Sequence, residues 1–192
     1  MVYLVMGLFI FFGTHSLRLA AGSAYQTLYG RLGDVRFKLV YTVLSVLGLF
    51  LVVFGFGLAR ETPVMLWSPP AGMRHLTFLL MLVAMVFLAA AYVPRNAIRA
   101  RLHHPMVLSV KVWALAHLAC NGSLAHMVLF GTFLLWSVWA FRASRLRDRV
   151  DDVQYPIGAA MPTLLTVAIG AGLWLVMIGW LHGVLMGVRL LA

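Results

Sequence analysis

The sequence predicts an all-α, polytopic membrane bundle of about six transmembrane helices with both termini outside. Three observations predict it. First, 63% of the 192 residues are hydrophobic and only 10% are charged, whereas a soluble domain carries roughly a quarter charged residues. Second, apolar segments at 2–20, 37–59, 74–93, 106–120, 123–141 and 158–188 use nearly the whole length, and four of them are close to the ~20 residues that cross hydrocarbon, with 106–120 shorter and 158–188 longer. Third, the basic residues alternate in side. With the N-terminus outside, the three cytoplasmic loops hold eleven: Arg18, Arg31, Arg36, Lys38; Arg95, Arg99, Arg101; Arg142, Arg145, Arg147 and Arg149. The outside holds Arg60, Arg74 and Arg189, and Lys111 lies within span four. An excess of Lys and Arg on one side marks the cytoplasm.

Each element has a local reason. Span one has no basic residue before Val2 and no small-residue cleavage site near Thr14–Arg18, so it is expected as a retained span and not as a signal peptide. A loop follows, with Gly22, Gly30 and Gly33 as turn residues. Span two ends at Arg60 and Glu61, and Pro63, Pro69, Pro70 and Gly72 break the chain before span three. Pro94 ends span three, and Pro105 suits the first turn of span four. The run from Met106 to Phe141 is too long for one span, and Asn121-Gly122 divides it by a tight turn. The segment 158–188 contains Pro162, Gly170, Gly172 and Gly179 and is expected as one span with an irregular start. A single transmembrane domain, 1–192, leaves no length for a soluble catalytic domain.

The composition also excludes. The net charge of +10 sits between apolar spans, which points to anionic lipid and not to nucleic acid. A single cysteine, Cys120, rules out an intramolecular disulfide and a cysteine metal cluster. No Asp or Glu lies inside a span, which argues against a carboxylate-bound divalent cation, a carboxylate acid–base pair and a pump-type proton relay.

What remains inside is histidine, with Ser109 and Lys111. Two histidines from different helices, His15 and His117, in an apolar and aromatic bundle suit haem iron, with basic side chains near the interface to hold propionates. The alternative reading keeps both as buried histidines bonded to backbone carbonyls or waters, and spacing alone favours that plainer role. His75, His103, His104 and His126 stand nearer span ends. Lys111 is expected against a carbonyl, snorkelling, or partnered by a propionate or phosphate.

Four stretches carry a resemblance: GTHSLR (13–18), FGFGLARETPVMLWSPPAGMRHLT (54–77), HHPMVLSVKVWALAHLACNGSLAHMVLFG (103–131) and FLLWSVWAFRAS (133–144). Together they resemble the NnrU family of bacterial membrane proteins, associated with nitrite and nitric oxide reduction in denitrifying bacteria. The third is the most specific. The family is also similar to zeta-carotene isomerase, which binds haem b and isomerises a polyene cis double bond without net redox. That enzyme's ligand histidines lie in a His-Ser motif and a Trp-x-x-Ala-His motif, matched here by His15-Ser16 and by Trp113 to His117. The resemblance therefore implies haem b held by His15 and His117 as metal ligands, with Lys111, Trp113, Asn121 and His104 as further cofactor-binding candidates. One departure stands out. The isomerase has a cysteine after that tryptophan, and this chain has Ala114, with Cys120 three residues after His117.

A narrower resemblance rests on His104-Pro105. Membrane methyltransferases of the isoprenylcysteine and phospholipid type use Arg-His-Pro at such a junction to bind S-adenosylmethionine, together with a downstream acid. Here His103 replaces the arginine, and the only acids beyond 105 are Asp148, Asp151 and Asp152, expected in a basic, solvated loop. The functions implied are haem-dependent isomerisation of an apolar polyene, or a role in nitric oxide and denitrification metabolism. The alternatives are a non-catalytic accessory protein of a respiratory complex and a methyltransferase. The expected setting is the bacterial inner membrane. Expected partners are membrane lipid, an apolar small-molecule substrate, and a second copy or a respiratory complex.

Overall fold

In hydrocarbon every backbone N–H and C=O must find a partner within the chain, so long apolar runs fold as helices. The structure, a computed structural model, describes residues 1–20 and 22–191. Its helices are α1 (Val2–Ala20), α2 (Gly22–Glu61), α3 (Met73–Tyr92), α4 (Ala97–Leu102), α5 (Pro105–Cys120), α6 (Leu124–Val150), α7 (Ala160–Val176) and α8 (His182–Met186). A π-helical turn, Met177–Leu181, joins the last two. Among the described residues there is no strand, only isolated bridges at Met65–Ser123 and Asn96–Ala159. Four helical stretches are long and apolar enough to cross a membrane: Gly22–Glu61, Met73–Tyr92, Leu124–Val150 and Ala160–Met186. The apolar stretches Val2–Leu17 and Pro105–Cys120 are shorter. The Arg18 side chain, counted above in the first loop, lies outside the described residues.

The chain forms two compact units. The first comprises Met1–Pro69 and Asn121–Ala143. In it α1 and α2 pack antiparallel with almost no side chain between them. A Cβ added to Gly55 would lie 2.2 Å from the Leu4 nitrogen, one on Gly48 2.8 Å from that of Phe11, and one on Gly7 2.5 Å from that of Val52. Small residues that let backbones touch are the usual adhesive between helices in lipid, where burial supplies no hydrophobic gain. The start of α6 lies along α1: the rings of Phe12 and Phe133 are 4.8 Å apart, and Trp136 Nε1 donates to Ser16 Oγ at 3.1 Å. The Asn121-Gly122 turn falls where expected. Gly122 O accepts from Leu66 N at 2.8 Å, and a Cβ on Gly122 would overlap the Trp67 carbonyl oxygen, so glycine is required there.

The second unit comprises Pro70–Cys120 and the residues from Ser144 onward. Here α3 packs against α5 and α7. Polar side chains bond across to backbone carbonyls: Ser109 Oγ to Ala84 O at 2.7 Å, Thr77 Oγ1 to Ala116 O at 3.1 Å, and Trp174 Nε1 to Phe78 O at 3.0 Å. Asn96, 1% exposed, caps α4 by accepting from Arg99 N at 2.7 Å and donates to Ala90 O at 2.9 Å.

Three expectations need correction. The described residues of the glycine-rich first loop are helical except at Gly33, whose φ of 71° breaks α2. Tyr25 and Tyr29 pack on Phe37, with ring centroids 5.1 and 5.4 Å away, and this contact outweighs the turn propensity of Gly22 and Gly30. The helix that carries span five, expected at 123–141, runs on to Val150, because charged residues do not by themselves end a helix. In the last segment the irregularity is the π turn at Met177–Leu181, near the end and not at the start.

Candidate functional site

The matched histidines fall in different compact units, His15 in the first and His117 in the second, and each has its own surroundings. His15 Nδ1 lies 2.8 Å from the Phe11 carbonyl oxygen, one helical turn back. A carbonyl only accepts, so Nδ1 carries the proton and donates it. In the neutral imidazole Nε2 then holds the lone pair. The half-buried ring stacks on Phe11 at 4.1 Å, with Tyr41 at 5.4 Å and Trp136 at 6.3 Å.

His117 repeats the arrangement. Its Nδ1 lies 2.9 Å from the Trp113 carbonyl oxygen, so Nε2 again keeps the lone pair. It too is half-buried, and the Trp113 ring lies 5.3 Å away. Trp113 thus serves His117 twice, as carbonyl acceptor and as aromatic neighbour. Cys120 Sγ bonds the His117 carbonyl oxygen at 3.7 Å, one turn along α5. His126 differs: its Nδ1 meets Ser123 Oγ at 2.6 Å, and a hydroxyl both donates and accepts, so its tautomer is not fixed.

The other candidates separate from these. Lys111 lies half-buried on α5 with no hydrogen bond or ion pair among the described residues. Asn121 belongs to the α5–α6 turn. His104 stands just before Pro105, at the far end of α5 from His117. Its Nε2 lies 2.8 Å from Asp148 Oδ2. Asp148 was expected in a solvated loop. It stands instead on the last turn of α6 with its side chain 14% exposed, and its Oδ2 also accepts from the Tyr155 hydroxyl at 3.0 Å.

This cluster of His103, His104, Asp148 and Tyr155 was missed by sequence reasoning. His103 closes α4 at φ 70°, its ring centroid 4.0 Å from that of Tyr155 and its buried Nδ1 3.5 Å from Asp148 Oδ2. Burial, and then the bond to the Asp148 carboxylate, push the Tyr155 phenol above its usual range, so it stays a neutral donor at physiological pH. Asp148 lies forty-four residues from His104. No local pattern marks such a pairing. Among the described residues no group of three His, Cys, Asp or Glu is placed to cage a metal ion.

Four helical stretches long and apolar enough to cross a membrane, in a chain with no strand among its described residues, define an all-helical membrane protein. The family is recognised along nearly the whole chain. Residues 3–190 match the family described as NnrU protein, and the chain belongs to it. No curated protein and no solved structure matches it.

Proposed function

We propose that this NnrU protein is a multi-pass protein of the bacterial inner membrane, with six spans and both ends outside, that binds haem b through His15 and His117. The observation that supports this most is the shared state of those two side chains. Each gives its Nδ1–H to the carbonyl four residues back and keeps a lone pair on Nε2. A second hydrogen bond of this kind is what fixes tautomer and ring direction in ligand histidines. Both rings stand among aromatic side chains that suit a porphyrin wall. Lys111, lacking an ionic partner among the described residues, would meet a propionate, and Trp113 would pack beside the ring while orienting His117. Bound haem would supply a Lewis-acidic iron able to exchange one electron. That chemistry serves isomerisation of an apolar polyene or the handling of nitric oxide.

Absorption spectra of the purified full chain, oxidised and reduced, test the proposal. The expected result is a Soret band of low-spin haem in the wild type, lost or converted to high spin in His15→Ala and His117→Ala and kept in His104→Ala. A colourless wild type purified with haem supplied refutes it, as does unchanged pigment in His15→Ala. Reporter fusions at Asp148 and at the C-terminus test the topology, which a cytoplasmic C-terminus overturns.

A second reading, methyl transfer from S-adenosylmethionine, has one observation in its favour. The downstream acid that it requires stands against His104, as Asp148 at 2.8 Å. Titration of the detergent-solubilised chain with S-adenosylmethionine tests it, and absence of binding removes it.

A further inference from the structure

Within the first unit, a cleft of about 340 Å³ opens between α1 and the two pieces of α2 on either side of Gly33. Its walls are almost wholly apolar. Phe9, Gly13 and Leu17 line it from α1, Leu28 from the first piece of α2, and Phe37 and Leu44 from the second. Thr14 also lines it, but its hydroxyl is already given to Ile10 O at 2.8 Å and asks nothing of a ligand. Gly13 leaves the space open. A Cβ added there would meet nothing within 4 Å, unlike the glycines that hold α1 against α2. The rim is exposed, Phe9 at 81% and Val40 at 43%, so the cleft is reached from the hydrocarbon side.

Two arginines stand one helical turn from lining residues of α2. On α2 the lining positions 37, 40, 41 and 44 form one stripe, and Arg36 stands at its edge, one helical turn before Val40. On the first piece of α2, Arg31 follows Leu28 at the same helical spacing, so Arg31 and Arg36 flank the Gly33 break from its two sides. The nearest acid, Asp34, is engaged by Lys38 at 2.8 Å and by Tyr29 at 3.0 Å. Both arginines are exposed and have no acidic partner among the described residues. Tyr25 and Tyr29, packed on Phe37 beside them, are the residue type that sits at head-group level.

We infer that this cleft is a lipid-binding site that takes one acyl chain of an anionic phospholipid, with the phosphate between Arg31 and Arg36. The size suits a single apolar chain, since the volume lies at the small end of the ~300–1,000 Å³ of ligand pockets. The charge selects the head group, because basic side chains at the membrane surface attract anionic lipid and are indifferent to zwitterionic lipid. The inference does not depend on haem.

The test is native mass spectrometry of the full chain released from nanodiscs of phosphatidylcholine with and without phosphatidylglycerol. One phosphatidylglycerol should stay with the wild-type chain where phosphatidylcholine does not. Gly13→Leu places a side chain in the cleft, its Cβ meeting nothing within 4 Å, and should abolish retention. Arg31→Gln with Arg36→Gln, both on the exposed surface, should weaken it roughly thirtyfold, from two basic contacts at the membrane surface. Equal retention of both lipids means ordinary boundary lipid and overturns the inference. Undiminished phosphatidylglycerol on a folded Gly13→Leu chain overturns it too. If Gly13→Leu does not fold, the arginine pair decides: unchanged retention there overturns the inference.

Discussion

Gly55→Ala and Gly57→Ala add the same methyl group to the same helix two residues apart, yet they should differ in sign. At Gly55 the new Cβ would lie 2.2 Å from the Leu4 nitrogen and 2.6 Å from the Tyr3 carbonyl carbon, both of them backbone. Ordinary contact begins at 3.4 Å, so α1 and α2 must part by about 1.2 Å along their seam. Forcing apart a well-packed seam costs roughly 1–3 kcal/mol. At Gly57 a Cβ meets nothing within 4 Å. Both changes gain the helix propensity of alanine over glycine, about 1 kcal/mol, and this common gain cancels between them. Gly55→Ala should therefore be less stable than Gly57→Ala by about 1–3 kcal/mol, and Gly57→Ala should match or exceed the wild type. Thermal or detergent unfolding, followed by loss of helical circular dichroism on the purified chain, measures the difference. Equal stability of the two variants, or a more stable Gly55→Ala, would refute the close packing of α1 on α2.

Gly122→Ala drives a Cβ into the Trp67 carbonyl oxygen and should cost more than about 3 kcal/mol, read as loss of monodisperse protein in size-exclusion chromatography. Asn96→Ala removes the α4 cap and strands the buried Ala90 carbonyl, costing roughly 2–4 kcal/mol in the same unfolding assay. The Tyr155 phenol is raised from its usual 10.0 by burial and by Asp148. A raised folded-state value means the stability it contributes is whole below pH 10 and lost as pH rises through the folded value. Wild type should weaken above pH 10 more steeply than Tyr155→Phe, and identical pH profiles would show that the phenol does not titrate in place.

Elements whose signal is local were legible in the sequence. Pro94 and Pro105 mark the end of α3 and the start of α5, and Asn121-Gly122 marks the α5–α6 turn, because proline and glycine act on their own backbone. The Asn96 cap and the α4 helix that it begins were hidden by the shortness of that helix, six residues between two apolar spans. The first loop was misread because three glycines look alike in sequence. Only Gly33 is placed where the chain must turn, and the stacking of Tyr25 and Tyr29 on Phe37 decides the rest. The His104–Asp148–Tyr155 cluster was illegible for the opposite reason. It joins three segments, the α4–α5 junction, the end of α6 and the stretch before α7, and no spacing encodes their meeting. His15 and His117 stood out as histidines inside apolar spans and again through motif resemblance, and the structure adds which carbonyl each one uses.

Those carbonyls connect packing to chemistry. His15 is held by the carbonyl of Phe11, and Phe11 is the residue whose backbone Gly48 approaches, with a Cβ on that glycine lying 2.8 Å from its nitrogen. The glycine that draws α1 onto α2 therefore also sets the residue that fixes the His15 tautomer. In the second unit the sequence between Trp113 and His117 follows the same logic. Ala114 and Ala116 are fully buried, and Ala116 O accepts from Thr77 Oγ1 on α3, so the turn that presents His117 is pressed against its neighbour by residues too small to hold it off. A leucine at either alanine would move the Trp113 carbonyl as surely as it would move the helix. The residues around the two histidines are thus of two kinds, imidazoles tied to a backbone carbonyl and small residues that bring a neighbouring backbone close enough to hold that carbonyl in place. In a bilayer both demands fall on the same turns, because close packing there depends on small side chains and buried polar groups depend on backbone carbonyls.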